Sequence, residues 1–169
     1  MKKLKQMPIP VAVLIMVLCI VIGIGFGNNN ALSKAESESA GQFATVLSSG
    51  KERADKAANL RSLCESNGVD QSVINTLNTA ISAVKAANAP AKFAKANEEL
   101  TVAMDAAEEA LLESREGTVP YLQAALDDID SVTMQLARYI RVYNESQQNA
   151  LDLYNTLPAR FILQKPEVI

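Results

Sequence analysis

The sequence predicts an all-α fold, with an N-terminal transmembrane helix followed by an elongated antiparallel helical bundle of about four helices. Three observations predict it. Residues Ile9 to Gly27 form an apolar run that no charge interrupts, and about 20 apolar residues suffice to cross a bilayer core. From Leu32 onward, apolar residues return every three or four positions, and no segment alternates with period two. The breaks between these periodic segments are short, which favours antiparallel neighbours.

The chain divides accordingly into a basic N-terminus (1–8), an anchor (9–27), a bundle (28–158) and a loosely ordered tail (159–169). Lys2, Lys3 and Lys5 precede the apolar run, and the residues just after it carry no basic excess. The positive-inside rule therefore places the N-terminus in the cytoplasm and the bundle outside it. A cleaved signal peptide has a similar start. Its apolar core is shorter, however, and it ends at a small-residue site that Gly25-Phe26-Gly27 matches poorly, so the reading is a retained anchor. Leu18 is larger than a lipoprotein cleavage site prefers, so Cys19 reads as one more small apolar residue.

The first bundle helix is expected from about Leu32 to Glu65, with a stripe of Leu32, Ala35, Ser39, Phe43, Val46, Arg53, Ala57, Leu60 and Cys64. Ser48-Ser49-Gly50 weakens its middle, and Asn67-Gly68 is a helix stop. Asp70 caps the second helix, whose stripe is Val73, Ile74, Leu77, Ile81 and Val84. Pro90 marks the next break. The third helix covers roughly Ala91 to Glu116, with Phe93, Asn97, Leu100, Met104, Ala107 and Leu111 on one side, and Gly117 ends it. Thr118 is expected to cap the fourth, with Pro120 in its first turn. Its stripe is the most regular: Leu122, Ala125, Ile129, Val132, Leu136, Tyr139, Tyr143, Ala150 and Leu153, up to a stop at Pro158. Such a seam favours shallow-angle packing with a left-handed supercoil. At 1.5 Å per residue the first and fourth helices would each be about 50 Å long.

Composition excludes several function classes. The 169 residues carry 16 basic and 19 acidic side chains. Setting aside Lys2, Lys3 and Lys5 leaves 13 basic residues, a net charge near −6 for the bundle and tail. No basic stripe is present, which argues against nucleic acid and against an anionic lipid surface bound through the bundle. There is no histidine, hence no His general base, His metal ligand, or Ser-His or Cys-His pair. No CxxC motif or glycine-rich phosphate loop occurs either. Cys64, the one cysteine beyond the apolar run, has no internal disulfide partner there and reads as a small buried residue. Asp105, Glu109 and Glu113 share a helix face, but a di-metal carboxylate bundle also needs Glu-x-x-His pairs, so they read as a solvated surface. Asp127-Asp128-Ile129-Asp130 lacks the glycine and closing Glu of a calcium loop. The expectation is a non-enzyme without metal or cofactor.

The unusual polar residues lie on or beside the helix seams: Arg53, Asp55, Asn59, Asn97, Tyr143, Asn144, Tyr154 and Asn155. Buried Asn or Arg is costly unless paired, and such groups often fix register in bundles. An inter-helix polar network is the expected reading, and a ligand pocket between helices near Tyr143 and Asn97 is the alternative.

These residues also carry a resemblance. Arg53-Ala54-Asp55-Lys56-Ala57-Ala58-Asn59-Leu60 resembles the signature of the LemA family, an Arg-x-Asp followed by Asn-Leu at the end of a first long helix. Asn30-Ala31-Leu32 is similar to the start of that helix after the family's anchor, and Phe43 stands where the family usually has tryptophan. Ala96-Asn97-Glu98-Glu99-Leu100-Thr101 resembles a Glu-Asn-Glu-Leu segment, and Pro120-Tyr121-Leu122 a Tyr-Pro-x-Leu. Tyr143-Asn144-Glu145 and Tyr154-Asn155 resemble paired Tyr-Asn motifs, though they stand farther apart here. Lys56-Ala57-Ala58 replaces the family's Leu-Ile-Pro, and the C-terminal segment is shorter. The resemblance implies a membrane-anchored antiparallel bundle with no catalytic activity to carry over. The function expected from sequence is thus a non-catalytic scaffold or adaptor in the bacterial cell envelope, with a protein partner or self-association. The alternative is an extracytoplasmic ligand-sensing bundle.

Overall fold

The computed structural model describes the backbone of residues 9–114 and 121–155, and side chains at Gly27, at 30–114 and at 121–155. The described residues are helical, with no strand. Four helices follow in order: α1 (Ile9–Ser66), α2 (Gln71–Ala86), α3 (Pro90–Glu113) and α4 (Leu122–Asn155). The apolar run expected as an anchor lies, apart from Gly27, outside the residues whose side chains are described. Among the described residues no helix is long and apolar enough to cross a membrane. The expected tail, 159–169, also lies outside them.

The first helix begins earlier than its stripe announces. α1 is continuous over 58 residues, and no break separates the apolar run from Leu32. Nor does Ser48-Ser49-Gly50 interrupt it. The ring of Phe93 on α3 occupies the space where a Cβ of Gly50 would stand, so the glycine costs helix propensity but admits a close aromatic contact. α1 ends as Asn67-Gly68 predicts. Gly68 takes φ +73°, and the N–H of Val69 reaches back to the carbonyl of Cys64 at 3.1 Å, closing a Schellman turn with Val69 buried beneath it.

Asp70 caps α2, its carboxylate accepting the N–H of Ser72 at 2.6 Å. Hydrogen bonding from Ser72, through side chain and backbone, holds the Asp70 pKa below its ordinary value. Pro90 occupies the first turn of α3, where a missing N–H does no harm. α3 ends at Glu113, before the expected Glu116, and Gly117 lies outside the described residues. α4 starts at Leu122, not at the expected Thr118 cap. Tyr121 stands just before it with φ 66°, a left-handed conformation that a helix cannot continue, so the first turn falls after Pro120. Thr118, Pro120 and Pro158 lie outside the described residues.

The described chain forms two compact units. One comprises 40–144; the other takes in α1 up to Ser39 and α4 from Glu145. In the 40–144 unit, Arg53 meets Thr133, Lys56 meets Asp128 and Phe43 meets Tyr143. The α4 partner moves back as the α1 residue moves forward, so the two helices are antiparallel. Lys85 with Asp55 and Asn78 with Arg61 make α2 antiparallel to α1 by the same logic. α3 runs parallel to α1, pairing Phe93 with Phe43 and Ala107 with Cys64. Leu60, Leu77, Leu100, Leu111 and Leu136 fill the core with no exposure worth the name, and a leucine buried in this way gains about 1.5–3 kcal/mol. Between them sit Ala54, Ala57, Ala80, Ala96, Ala103 and Ala107, whose small side chains let the helix axes draw close. In the other unit Leu32, Ser39 and Ala150 are buried, and the Gln147 amide donates to the Ser39 hydroxyl at 2.6 Å.

Candidate functional site

Arg53 is the buried charged side chain among the described residues of the 40–144 unit, with 4% of its surface exposed. The heptad spacing Val46, Arg53, Leu60 puts it in the α1 seam. Three side chains meet its guanidinium. Nε donates to the Thr133 hydroxyl of α4 at 2.9 Å. One terminal nitrogen donates to the Asn97 side-chain oxygen of α3 at 2.9 Å, and the other to the Thr101 hydroxyl at 3.0 Å. Thr101 in turn donates to the Asn97 backbone carbonyl at 3.0 Å, so its hydroxyl uses both its donor and an acceptor site. Among the described residues no carboxylate touches Arg53. Burial lowers its pKa from the ordinary value, and attraction from Asp105 only partly offsets that. The cation stays charged and is held by neutral dipoles. This cluster joins α1, α3 and α4, and no nucleophile or base stands in it.

The eight sequence-predicted polar residues do not form one site. Arg53 and Asn97 meet, as an inter-helix network requires. Asp55 is exposed and paired with Lys85 of α2 at 2.5 Å. Asn59 and Asn144 are exposed, not seam residues. Tyr143 is buried at 4% exposure, with its ring 5.5 Å from that of Phe43, in an apolar contact. Tyr154 is half-buried and Asn155 exposed, both in the other unit. Sequence reasoning passed over Thr101 and Thr133. Each was legible in principle, Thr101 four residues after Asn97 and Thr133 four after Ile129 in the α4 stripe.

Among the described residues of the 40–144 unit lie an open groove and a smaller concave feature. The larger is an open groove of about 580 Å³ between α2 and α3, lined by Asn75, Thr76, Thr79 and Ala80 on one side and by Glu98, Glu99, Val102 and Ala103 on the other. Val102 stands 65% exposed in it. The α2 face beside it is exposed yet uncharged from Gln71 through Ser82. Its hydroxyls turn inward along their own helix: Thr76 to the Ser72 carbonyl at 2.9 Å, Thr79 to Asn75 at 2.8 Å and Ser82 to Asn78 at 2.8 Å. The face therefore presents the methyl groups and satisfied hydroxyls of Thr76, Thr79 and Ser82 beside the uncharged amides of Gln71, Asn75 and Asn78. The smaller feature, about 200 Å³, is lined by Phe43 and Val46 of α1, by Pro90, Phe93 and Ala94 of α3 and by Ile140, Tyr143 and Asn144 of α4. It lies beside Tyr143 as the alternative reading expects, but not beside Asn97, whose side chain is committed to Arg53.

Asp105, Glu109 and Glu113 are exposed on α3, and no group of three or more metal-ligating side chains gathers among the described residues. Cys64 is buried against the Ala107 carbonyl at 3.8 Å, and burial raises its pKa, which keeps the thiol neutral. No family model matches this chain, nor does any curated protein or solved structure.

Proposed function

We propose that this chain is a membrane-anchored, LemA-like helical-bundle protein that acts as a non-catalytic scaffold or adaptor in the bacterial cell envelope. It engages a protein partner or a second copy through the α2–α3 groove. The observation that carries this reading is the α2 face. A solvated helix surface is normally rich in charge, whereas this one is uncharged from Gln71 through Ser82 and keeps its hydroxyls bonded to its own backbone. Covering such a face strips water from few unsatisfied groups and freezes few rotatable side chains, the two main costs of association. Depletion of charge, found on the α2 wall opposite Glu98 and Glu99 of α3, is also the compositional mark of an interface core. The anchor rests on the apolar run and its leading lysines. The family likeness rests on the order of the motifs, of which Arg53 and Asn97 form a bonded pair.

A photo-cross-linking residue placed at Thr79 in the full-length protein, in its native membrane, tests the proposal. A discrete adduct from Thr79, with none from the same probe at Asp127 on the exposed face of α4, is the expected result. Equal labelling at both positions, or no adduct from either, refutes it. Protease treatment of intact cells tests the orientation, with digestion of the bundle from outside expected.

The second reading, an extracytoplasmic ligand-sensing bundle, draws on the cavity beside Tyr143.

A further inference from the structure

We infer that the cavity among Phe43, Phe93 and Tyr143 is a binding site for a small, uncharged aromatic molecule about one or two rings in size. The volume, near 200 Å³, sets the scale, since a dry apolar cavity of about 150 Å³ is enough to hold benzene. The lining sets the class. Aliphatic and aromatic carbon makes up most of the walls, and no charged side chain contributes to them. An ion entering would lose its hydration without gaining a counter-charge. Phe43 and Phe93 already stand edge to face, their centroids 6.4 Å apart at 81°, and Tyr143 tilts against Phe43 at 44°. A further ring can extend this cluster in the offset or edge-on geometry that aromatic pairs prefer. Asn144, exposed beside the buried Tyr143, supplies one amide at the rim, able to donate to or accept from a single polar substituent.

The backbone makes the room. A Cβ at position 50 would collide with the Phe93 ring. Glycine there lets the ring lie against α1 on the wall of the cavity. The occupant would touch α1, α3 and α4 at once, so binding should raise the cooperative stability of these three helices together. The site is independent of the scaffold reading. It deepens the ligand-sensing reading alone, and rests on that reading only for the claim that occupancy is a signal.

The test is a titration of the full-length protein in detergent with indole, followed through the aromatic NMR resonances of Phe43, Phe93 and Tyr143 and through the thermal midpoint. Saturable shifts of these resonances and a rise in the midpoint are expected. Partition of indole into the micelle is non-saturable and common to all variants. Ala94→Phe fills the cavity from an exposed position that does not endanger folding, and it should abolish the saturable phase. Gly50→Ala should do the same by driving the Phe93 ring into the cavity. Saturable binding that survives Ala94→Phe, or its absence in the unmodified protein, overturns the proposal. Absence of a Thr79 adduct without indole would refute the scaffold reading and leave the site intact; a Thr79 adduct without saturable indole binding would refute the site and leave the scaffold reading intact.

Discussion

Two seams of the 40–144 unit solve the same packing problem differently. Between α1, α3 and α4 a charged side chain is buried and every polar atom that meets it is committed: Arg53 to Thr133, Asn97 and Thr101. Between α2 and α3 the seam opens into a groove where Ala80 faces Ala103, the α2 threonine hydroxyls bond within their own helix, and Glu98 and Glu99 stand on the α3 wall. The first seam specifies. A guanidinium with directional partners on two other helices admits one register, because a shift of one residue would leave buried donors unmet. The second accommodates. Alanine, threonine and serine pack against many surfaces and discriminate weakly. The polar seam is closed by the chain itself, and the small-residue seam is left open to solvent or to a partner.

The sharpest way to break this contrast is at Arg53. Arg53→Ala leaves Asn97 Oδ1, Thr101 Oγ1 and Thr133 Oγ1 facing a void, and should cost about 3 kcal/mol of unfolding free energy in detergent denaturation. Replacing Arg53, Asn97, Thr101 and Thr133 together by Met, Leu, Val and Val should recover most of that loss, since apolar substitutes of similar volume need no partners. If the polar seam sets register, the recovered protein will show broadened core NMR resonances; a sharp, native-like spectrum would show that register lies elsewhere. Gly50→Ala comes next, at about 1–3 kcal/mol from overpacking against Phe93, measured by the same denaturation. Asp55→Ala removes an exposed pair with Lys85, the carboxylate being 65% exposed, and should cost at most about 0.5 kcal/mol. Adding salt should erase even that.

The effect that depends on pH is that of Asp70. Its folded pKa lies below the ordinary carboxylate value of about 3.9. The cap therefore stabilises fully above that pH, and the contribution fades as pH falls through the lowered folded value. Acid titration of helix content should show this fading in the native protein and not in Asp70→Ala. Cys64 offers a control for the core as a whole. Its buried, neutral thiol should resist maleimide until the bundle opens, and early labelling would mark that end of the unit as loose.

The helical stripes were legible in their main positions, although Ala35, Val73, Ala125 and Leu153 are only half-buried and the buried Ala54, Ala80, Ala96 and Ala103 lie off them. Leu60, Cys64, Leu77, Val84, Leu100, Ala107, Leu111 and Leu136 fall on predicted faces and are buried, because a period of 3.6 leaves little freedom once one face must avoid water. The stops at Gly68 and Pro90 were legible for similarly local reasons. The polar residues were harder. Asp55 follows Arg53 by two positions, about 200° around the helix, so the two cannot share a seam, although a linear motif sets them side by side. Pairings across the bundle were not legible, since Thr133 lies 80 residues from Arg53 and only the fold determines which α4 hydroxyl arrives there. Neither concave feature leaves any mark on periodicity. The smaller one is lined by Phe93, whose ring also takes the space of a Cβ at Gly50, a coincidence in space between two helices distant in sequence.

The reach of Arg53 along the chain has a consequence for the order of events during synthesis. Its α3 partners follow it by 44 and 48 residues, and its α4 partner by 80. At the usual elongation rate of roughly 5–20 residues per second, Thr133 is made about 4–16 s after Arg53. Throughout that interval the guanidinium must stay hydrated or accept incomplete solvation, which disfavours early collapse of α1 onto α3 alone. The shell of the buried arginine is therefore complete only once α4 has arrived, since Thr133 supplies the partner of Nε.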